Sequence, residues 1–203
     1  LLVATVVGSG IMAARLSGSN DAIALLGNTL ATGAILYVLI TIFGSISGAH
    51  FNPAVSVVMA LKGELNKDML TAYICVQVIG GICGTFLAHL MFETPLLQLS
   101  ENLRSGMSQY ISEMVATFGL VLTILLGVRY KPDAVAMLVA LYITAAYWFT
   151  ASTSFANPAV TIARTLTDSF SGIHFGDTGF FILAQLLGGM LALGLFRILN
   201  TSK

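Results

Sequence analysis

Charge is scarce in this chain. Nine basic and nine acidic residues among 203, 9% in all, cancel to zero, against about a quarter charged residues in ordinary soluble domains. So balanced and sparse a charge offers no basic face for nucleic acid. Cysteine is scarcer still. Cys75 and Cys83 lie eight residues apart on one helix, about 12 Å along its axis, too far to bridge, and are expected to be small buried side chains. His89 and His174 have no cysteine or carboxylate at ligand spacing, so neither a metal nor a cofactor is expected. No nucleophile–base constellation and no phosphate loop occurs, which argues against an enzyme. No basic n-region precedes the first apolar run, which argues against a cleaved signal peptide.

What is abundant is apolar sequence, at 57% of residues. The runs 22–44, 69–92, 107–128, 134–150 and 178–199 each approach the roughly 20 residues needed to cross a bilayer. Residues 1–14 are apolar but shorter, and are expected to be a span clipped at its N-terminus, giving six spans. Basic residues in short loops orient the chain. Lys62, Lys67, Arg129, Lys131, Arg197 and Lys203 fall on one side, and Arg15, Arg104 and Arg164 on the other. That split places both termini in the cytoplasm.

The tetrapeptide Asn-Pro-Ala-Val occurs twice, at 52–55 and 157–160, and a Gln-x-x-Gly-Gly stretch follows at Gln77 and again at Gln185. The pattern predicts a single domain over 1–203 built from two repeats, 1–92 and 107–199. With three spans per repeat, the second copy enters the membrane from the opposite side, an inverted repeat. Asparagine is a strong helix N-cap and proline suits the first helical position, so Asn52-Pro53-Ala54 and Asn157-Pro158-Ala159 begin helices. Each apolar stretch that follows is about ten residues, or about 15 Å, half a hydrocarbon core. Residues 44–51 and 150–156 upstream read as irregular Gly/Ser/Thr-rich loops. Backbone of that kind survives at membrane depth only where it is buried in protein or lines an aqueous path. Two re-entrant half-helices therefore meet N-terminus to N-terminus, with the asparagine amide N–H groups facing the pore.

The stretch Ser47-Gly-Ala-His-Phe-Asn-Pro-Ala-Val55, with its second Asn-Pro-Ala, resembles the signature of the aquaporin family, the major intrinsic proteins. The resemblance spans essentially the whole chain. It implies an all-α membrane protein, a bundle of six transmembrane helices plus two re-entrant half-helices. It also implies a homotetramer in the lipid bilayer, each subunit a passive channel for water and small neutral solutes, in a bacterial cytoplasmic (inner) membrane. Glu113 resembles the buried glutamate that accepts hydrogen bonds from the re-entrant loop, and His50 is expected to orient the first loop.

At the constriction the chain departs from the family. Most members place arginine after the second Asn-Pro-Ala, where this chain has Val160. Ungapped counting puts the other filter positions at Ser154, Ala145 and Thr32. These four residues predict a wide, uncharged filter, similar to a bacterial branch associated with trivalent metalloid acids such as arsenous acid. An ordinary water or glycerol channel is one alternative, and an ion-coupled secondary transporter or a non-transporting adhesion protein are others. Arg164, four residues beyond Val160, falls on the same helical face about 5.4 Å further out. It places a positive charge in the outer vestibule, caps the half-helix C-terminus, or pairs with Asp168. Tyr147 and Trp148 are expected to be interfacial aromatics.

Overall fold

The computed structural model describes residues 1–201, so Lys203 lies outside the described residues. The elements are α1 (Leu2–Leu16), α2 (Asp21–Ser47), α3 (Pro53–Lys62), α4 (Lys67–Met91), α5 (Met107–Tyr130), α6 (Val135–Phe149), α7 (Pro158–Ala163) and α8 (Phe175–Thr201). A 3-10 turn at Pro132–Ala134 leads into α6, and another at Arg164–Leu166 extends α7. Among the described residues five segments are long and apolar enough to cross a membrane: α2, α4, α5, Pro132–Phe149 and α8. α1 is apolar but covers 15 residues.

Local chemistry explains the boundaries. The Asn20 side chain caps α2 by accepting from the Ala22 and Ile23 N–H groups, and Asn66 caps α4 through Asp68. Asp21 and Asp68 then sit in the first turns, where a negative charge complements the helix dipole. α2 stops at Gly48, which takes the left-handed conformation (φ 71°) and returns its N–H to the Gly44 carbonyl. Residues 44–47, expected to be loop, thus complete the last turn of α2. Gly44 stays helical, and Ser45, Ile46 and Ser47 carry no stop signal, so the apolar helix runs on until Gly48 takes the left-handed conformation.

Only 28–44% of each spanning segment is buried. Ile46, Val76, Ile79 and Leu183 are among many large apolar side chains left exposed on the outer faces. Helices apolar on every side belong in a bilayer, where this surface carries no hydration cost. Cys75 and Cys83 lie on that exposed surface of α4, which corrects the expectation of burial. Small polarizable thiols suit lipid as well as a core, and nothing in the apolar pattern separates the two.

The interior is organised around the half-helices. α3 packs its Val55, Val58 and Met59 against Val121 and Leu125 of α5 and Leu193 and Phe196 of α8. α7 packs Val160 and Ala163 against Val3, Val7 and Ile11 of α1 and Ala88 of α4. Glycines set the approach. At Gly81 of α4 a Cβ would meet the Ala159 carbonyl oxygen at 3.3 Å, and at Gly189 of α8 it would meet Val58 at 3.3 Å. At Gly188 a Cβ would overlap the Met114 carbonyl oxygen of α5 outright, whereas at Gly194 it would meet nothing within 4 Å. Gly188→Ala should therefore lower stability by about 1–3 kcal/mol through overpacking, and Gly194→Ala should not. Thermal midpoints of the detergent-purified variants check the contrast. Equal midpoints would contradict the packing described.

Candidate functional site

The site is built where α3 and α7 begin. Asn52 holds an extended backbone (φ −155°) and its Oδ1 accepts from Ala54 N–H at 2.9 Å. Asn157 does the same (φ −158°), with Oδ1 accepting from Ala159 at 3.0 Å and Val160 at 3.3 Å. Pro53 and Pro158 occupy the first helical turn, where no N–H is needed. The two ends are joined reciprocally: Asn52 Nδ2 donates to the Ala156 carbonyl at 2.7 Å, and Asn157 Nδ2 donates to the Phe51 carbonyl at 2.8 Å. Each side-chain amide therefore spends one of its two N–H bonds on the opposite loop, which corrects the expectation that both face the pore.

That exchange needs a particular backbone. Phe51 and Ala156, each just before its asparagine, have φ 47°, and Ala49 and Ser154 have φ 47° and 51°. Gly48 and Thr153 complete the match at 71° and 60°. Non-glycine residues held left-handed cost of order 1–3 kcal/mol each and persist only where their surroundings fix them. Here the strained turns rotate carbonyls toward the opposing asparagine, so the strain is part of the site.

What fixes the second loop is Glu113 of α5, fully buried. Its Oε1 accepts from Ser152 Oγ at 2.6 Å and Phe155 N–H at 2.9 Å. Its Oε2 accepts from Ala156 N–H at 2.8 Å and Gln185 Nε2 at 2.6 Å. Gln185 also donates to Thr161 Oγ1 at 2.9 Å. In the first half Gln77 Nε2 donates to Ser56 Oγ at 3.0 Å, and His50 Nδ1 lies 3.1 Å from the same hydroxyl. Ser56 and Thr161 both stand four residues after their asparagine, a correspondence the tetrapeptides alone did not reveal.

A cavity of about 120 Å³ runs past both asparagines. Stripes at four-residue spacing form its walls: Thr32, Leu36 and Ile40 on α2; Leu120, Ile124 and Val128 on α5; Val139, Ile143 and Tyr147 on α6. Thr32, His50, Ser154, Val160 and Arg164 line it together. Ala145 does not; it is exposed on the far face of α6. Two residues along a helix is a rotation of about 200°, so a count that misses the wall by two lands on the wrong side. Tyr147 of α6 does line the cavity, only 3% exposed, and its hydroxyl donates to Thr32 Oγ1 at 3.3 Å. Trp148 is exposed, but Tyr147 is not the interfacial aromatic expected of it. The four-residue stripe from Val135 through Tyr147 was the signal that could have found it.

Arg164 is only 1% exposed and lines the same cavity. Its Nε donates to the Ser171 carbonyl, and its guanidinium carbon lies 3.4 Å from the centre of the Phe155 ring. It does not pair with Asp168, whose Oδ1 accepts from Glu101 N–H at 3.1 Å. The 3-10 turn after Ala163 and the short return through residues 167–171 bring a backbone carbonyl within reach before that carboxylate. Arg104 approaches the same ring at 5.0 Å and is held by the Gly172, Ser152 and Phe170 carbonyls. Sequence reasoning placed Arg104 only on the outer side of the membrane and missed its hydrogen bonds to these three carbonyls.

Two half-helices bonded tip to tip beside a continuous cavity, inside helices of bilayer length, define a passive membrane channel rather than an enzyme. The chain belongs to the major intrinsic protein family, whose model matches residues 1–132. It is 61% identical over 97% of its length to the aquaglyceroporin AqpS of Rhizobium meliloti (strain 1021), covering 84% of that protein. It is 32% identical over 61% of its length to a glycerol uptake facilitator protein of Streptococcus pneumoniae, covering 58% of it. Its fold matches the X-ray structure of the aquaglyceroporin from Plasmodium falciparum with a TM-score of 0.68 at 21% identity, over 96% of this chain and 88% of that one.

Proposed function

We propose that this channel passes neutral hydroxylated solutes larger than water, including glycerol-class polyols and trivalent metalloid acids such as arsenous acid, along with water. The observation that carries this reading is Val160, a small uncharged side chain at the neck where the family resemblance leads one to expect arginine. Ser154 and Thr32 add hydroxyls there. Tyr147 adds bulk, but its hydroxyl is held to Thr32 on the α2 wall. The likeness to an aquaglyceroporin and to a glycerol uptake facilitator supports polyols. Arsenous acid follows from chemistry: it is neutral at pH 7 and presents three hydroxyls to a path of carbonyls and asparagine N–H groups.

Cations meet opposition at the middle. Two helix N-termini face each other there, each carrying about half a positive charge, and the remaining Asn52 and Asn157 N–H bonds point the same way. Water held between such donors turns its own hydrogens outward, which breaks a proton wire. The working unit in this reading is a homotetramer in a bacterial inner membrane with both termini cytoplasmic.

Reconstituted protein should conduct arsenous acid and glycerol above empty liposomes, with a rate that rises linearly with concentration and ignores imposed proton or sodium gradients. Stopped-flow light scattering measures it. Saturation together with dependence on an ion gradient would mark a coupled transporter instead, and passage of water alone would remove the polyol and metalloid assignment.

A further inference from the structure

The structure assigns Arg164 a task that its backbone contacts leave unused. Among the described residues the guanidinium makes one protein hydrogen bond, from Nε to the Ser171 carbonyl. NH1 is buried without an acceptor, although Arg164 lines the cavity. Among the described residues no carboxylate pairs with it: Glu113 is engaged by four donors, Asp168 Oδ1 by Glu101 N–H, and Asp177 Oδ2 by Arg104 N–H at 2.7 Å. Among the described residues the one ion pair is Lys62–Glu64. A buried cation without an ionic partner is costly, and the face of Phe155 compensates it only in part. Ser154 Oγ, on the same cavity wall, is likewise buried without a partner.

We propose that Arg164 forms an oxygen-binding subsite at the mouth of the channel, one helical turn beyond Val160, for planar oxyanions and oxyacids. With Nε fixed by Ser171 and the ring of Phe155 supporting the guanidinium plane, the NH1–NH2 edge meets two solute oxygens end-on. Ser154 Oγ supplies a further polar contact on the approach to the neck. The fork geometry is what arginine offers and lysine does not. Charge and passage are thereby separated: Arg164 collects oxygen-bearing solutes and turns cations back, while Val160 leaves the neck open.

The inference rests on the channel reading, and nitrate, a planar oxyanion, probes it. Proteoliposomes are assayed for glycerol and water flux in sodium nitrate and in sodium chloride, both at about 0.1 M so that screening is equal. Wild type should conduct glycerol about threefold more slowly in nitrate than in chloride, because the bidentate anion occupies the mouth. Arg164→Lys keeps the charge without the fork and should bring the two salts within about 1.3-fold of each other, as should Arg164→Gln. Flux in chloride above that of empty liposomes establishes that the protein conducts; its absence in wild type defeats the channel reading, not this one. Conduction with equal rates in nitrate and chloride in wild type overturns the subsite, even if neither variant assembles. Full nitrate sensitivity retained in Arg164→Lys or Arg164→Gln overturns it as well.

Discussion

Glu113→Ala should abolish the folded channel. The carboxylate accepts from Phe155 N–H, Ala156 N–H, Ser152 Oγ and Gln185 Nε2, all in a site fully shielded from water. Truncation leaves Phe155 N–H, Ala156 N–H and the Ser152 hydroxyl without an acceptor and Gln185 with Thr161 alone, and each orphaned buried donor costs about 1–3 kcal/mol. Their sum is comparable with the whole stability of a folded domain, about 5–15 kcal/mol. The loss also falls where it does most harm, because Ala156 is held at φ 47° so that its carbonyl can receive Asn52. Glu113→Gln keeps one acceptor oxygen and turns an NH2 group toward existing donors, so it should be intermediate. Size-exclusion profiles and water flux of purified protein check both variants. A Glu113→Ala protein that elutes as a sharp native peak and conducts water at the wild-type rate would show that the loop holds its shape unaided.

The duplicated tetrapeptide made the site legible because it is local: an N-cap, a proline and an apolar run suffice to start a helix anywhere. Glu113 stood out as a carboxylate deep in an apolar run, but its role as acceptor for the second loop came from the family resemblance, not from the run itself. The failures came from side-chain direction. Ala145 lies two residues, about 200° of helix rotation, from Tyr147, which lines the cavity while Ala145 is exposed. Arg164 was placed on the correct face, yet its burial and its union with Ser171 depend on the return of residues 167–171. Cys75 and Cys83 were assigned to the interior although the outer face of a membrane helix is as apolar as its core. The reciprocal bonds from Asn52 to Ala156 and from Asn157 to Phe51 join residues more than 100 positions apart. Their geometry depends on left-handed backbone at Phe51 and Ala156, which neither residue type announces.

The neck proposed at Val160 offers the second large effect and the sharpest test. Val160 is 6% exposed, lines the cavity and lies one turn from the Arg164 guanidinium. Arginine in its place adds a long charged side chain beside Ser154, Thr32 and Tyr147, and faces a like charge one turn away. Obstruction of a glycerol-sized solute by even about 1.4 kcal/mol is tenfold in rate, whereas water can pass a narrower opening. The deciding measurement is therefore stopped-flow light scattering on proteoliposomes of wild type and Val160→Arg, with water, glycerol and arsenous acid compared at equal protein density. Glycerol and arsenous acid flux should fall at least about tenfold in the variant while water flux stays within about threefold. Unchanged glycerol and arsenous acid flux through Val160→Arg would mean that the neck at Val160 does not set what this channel passes.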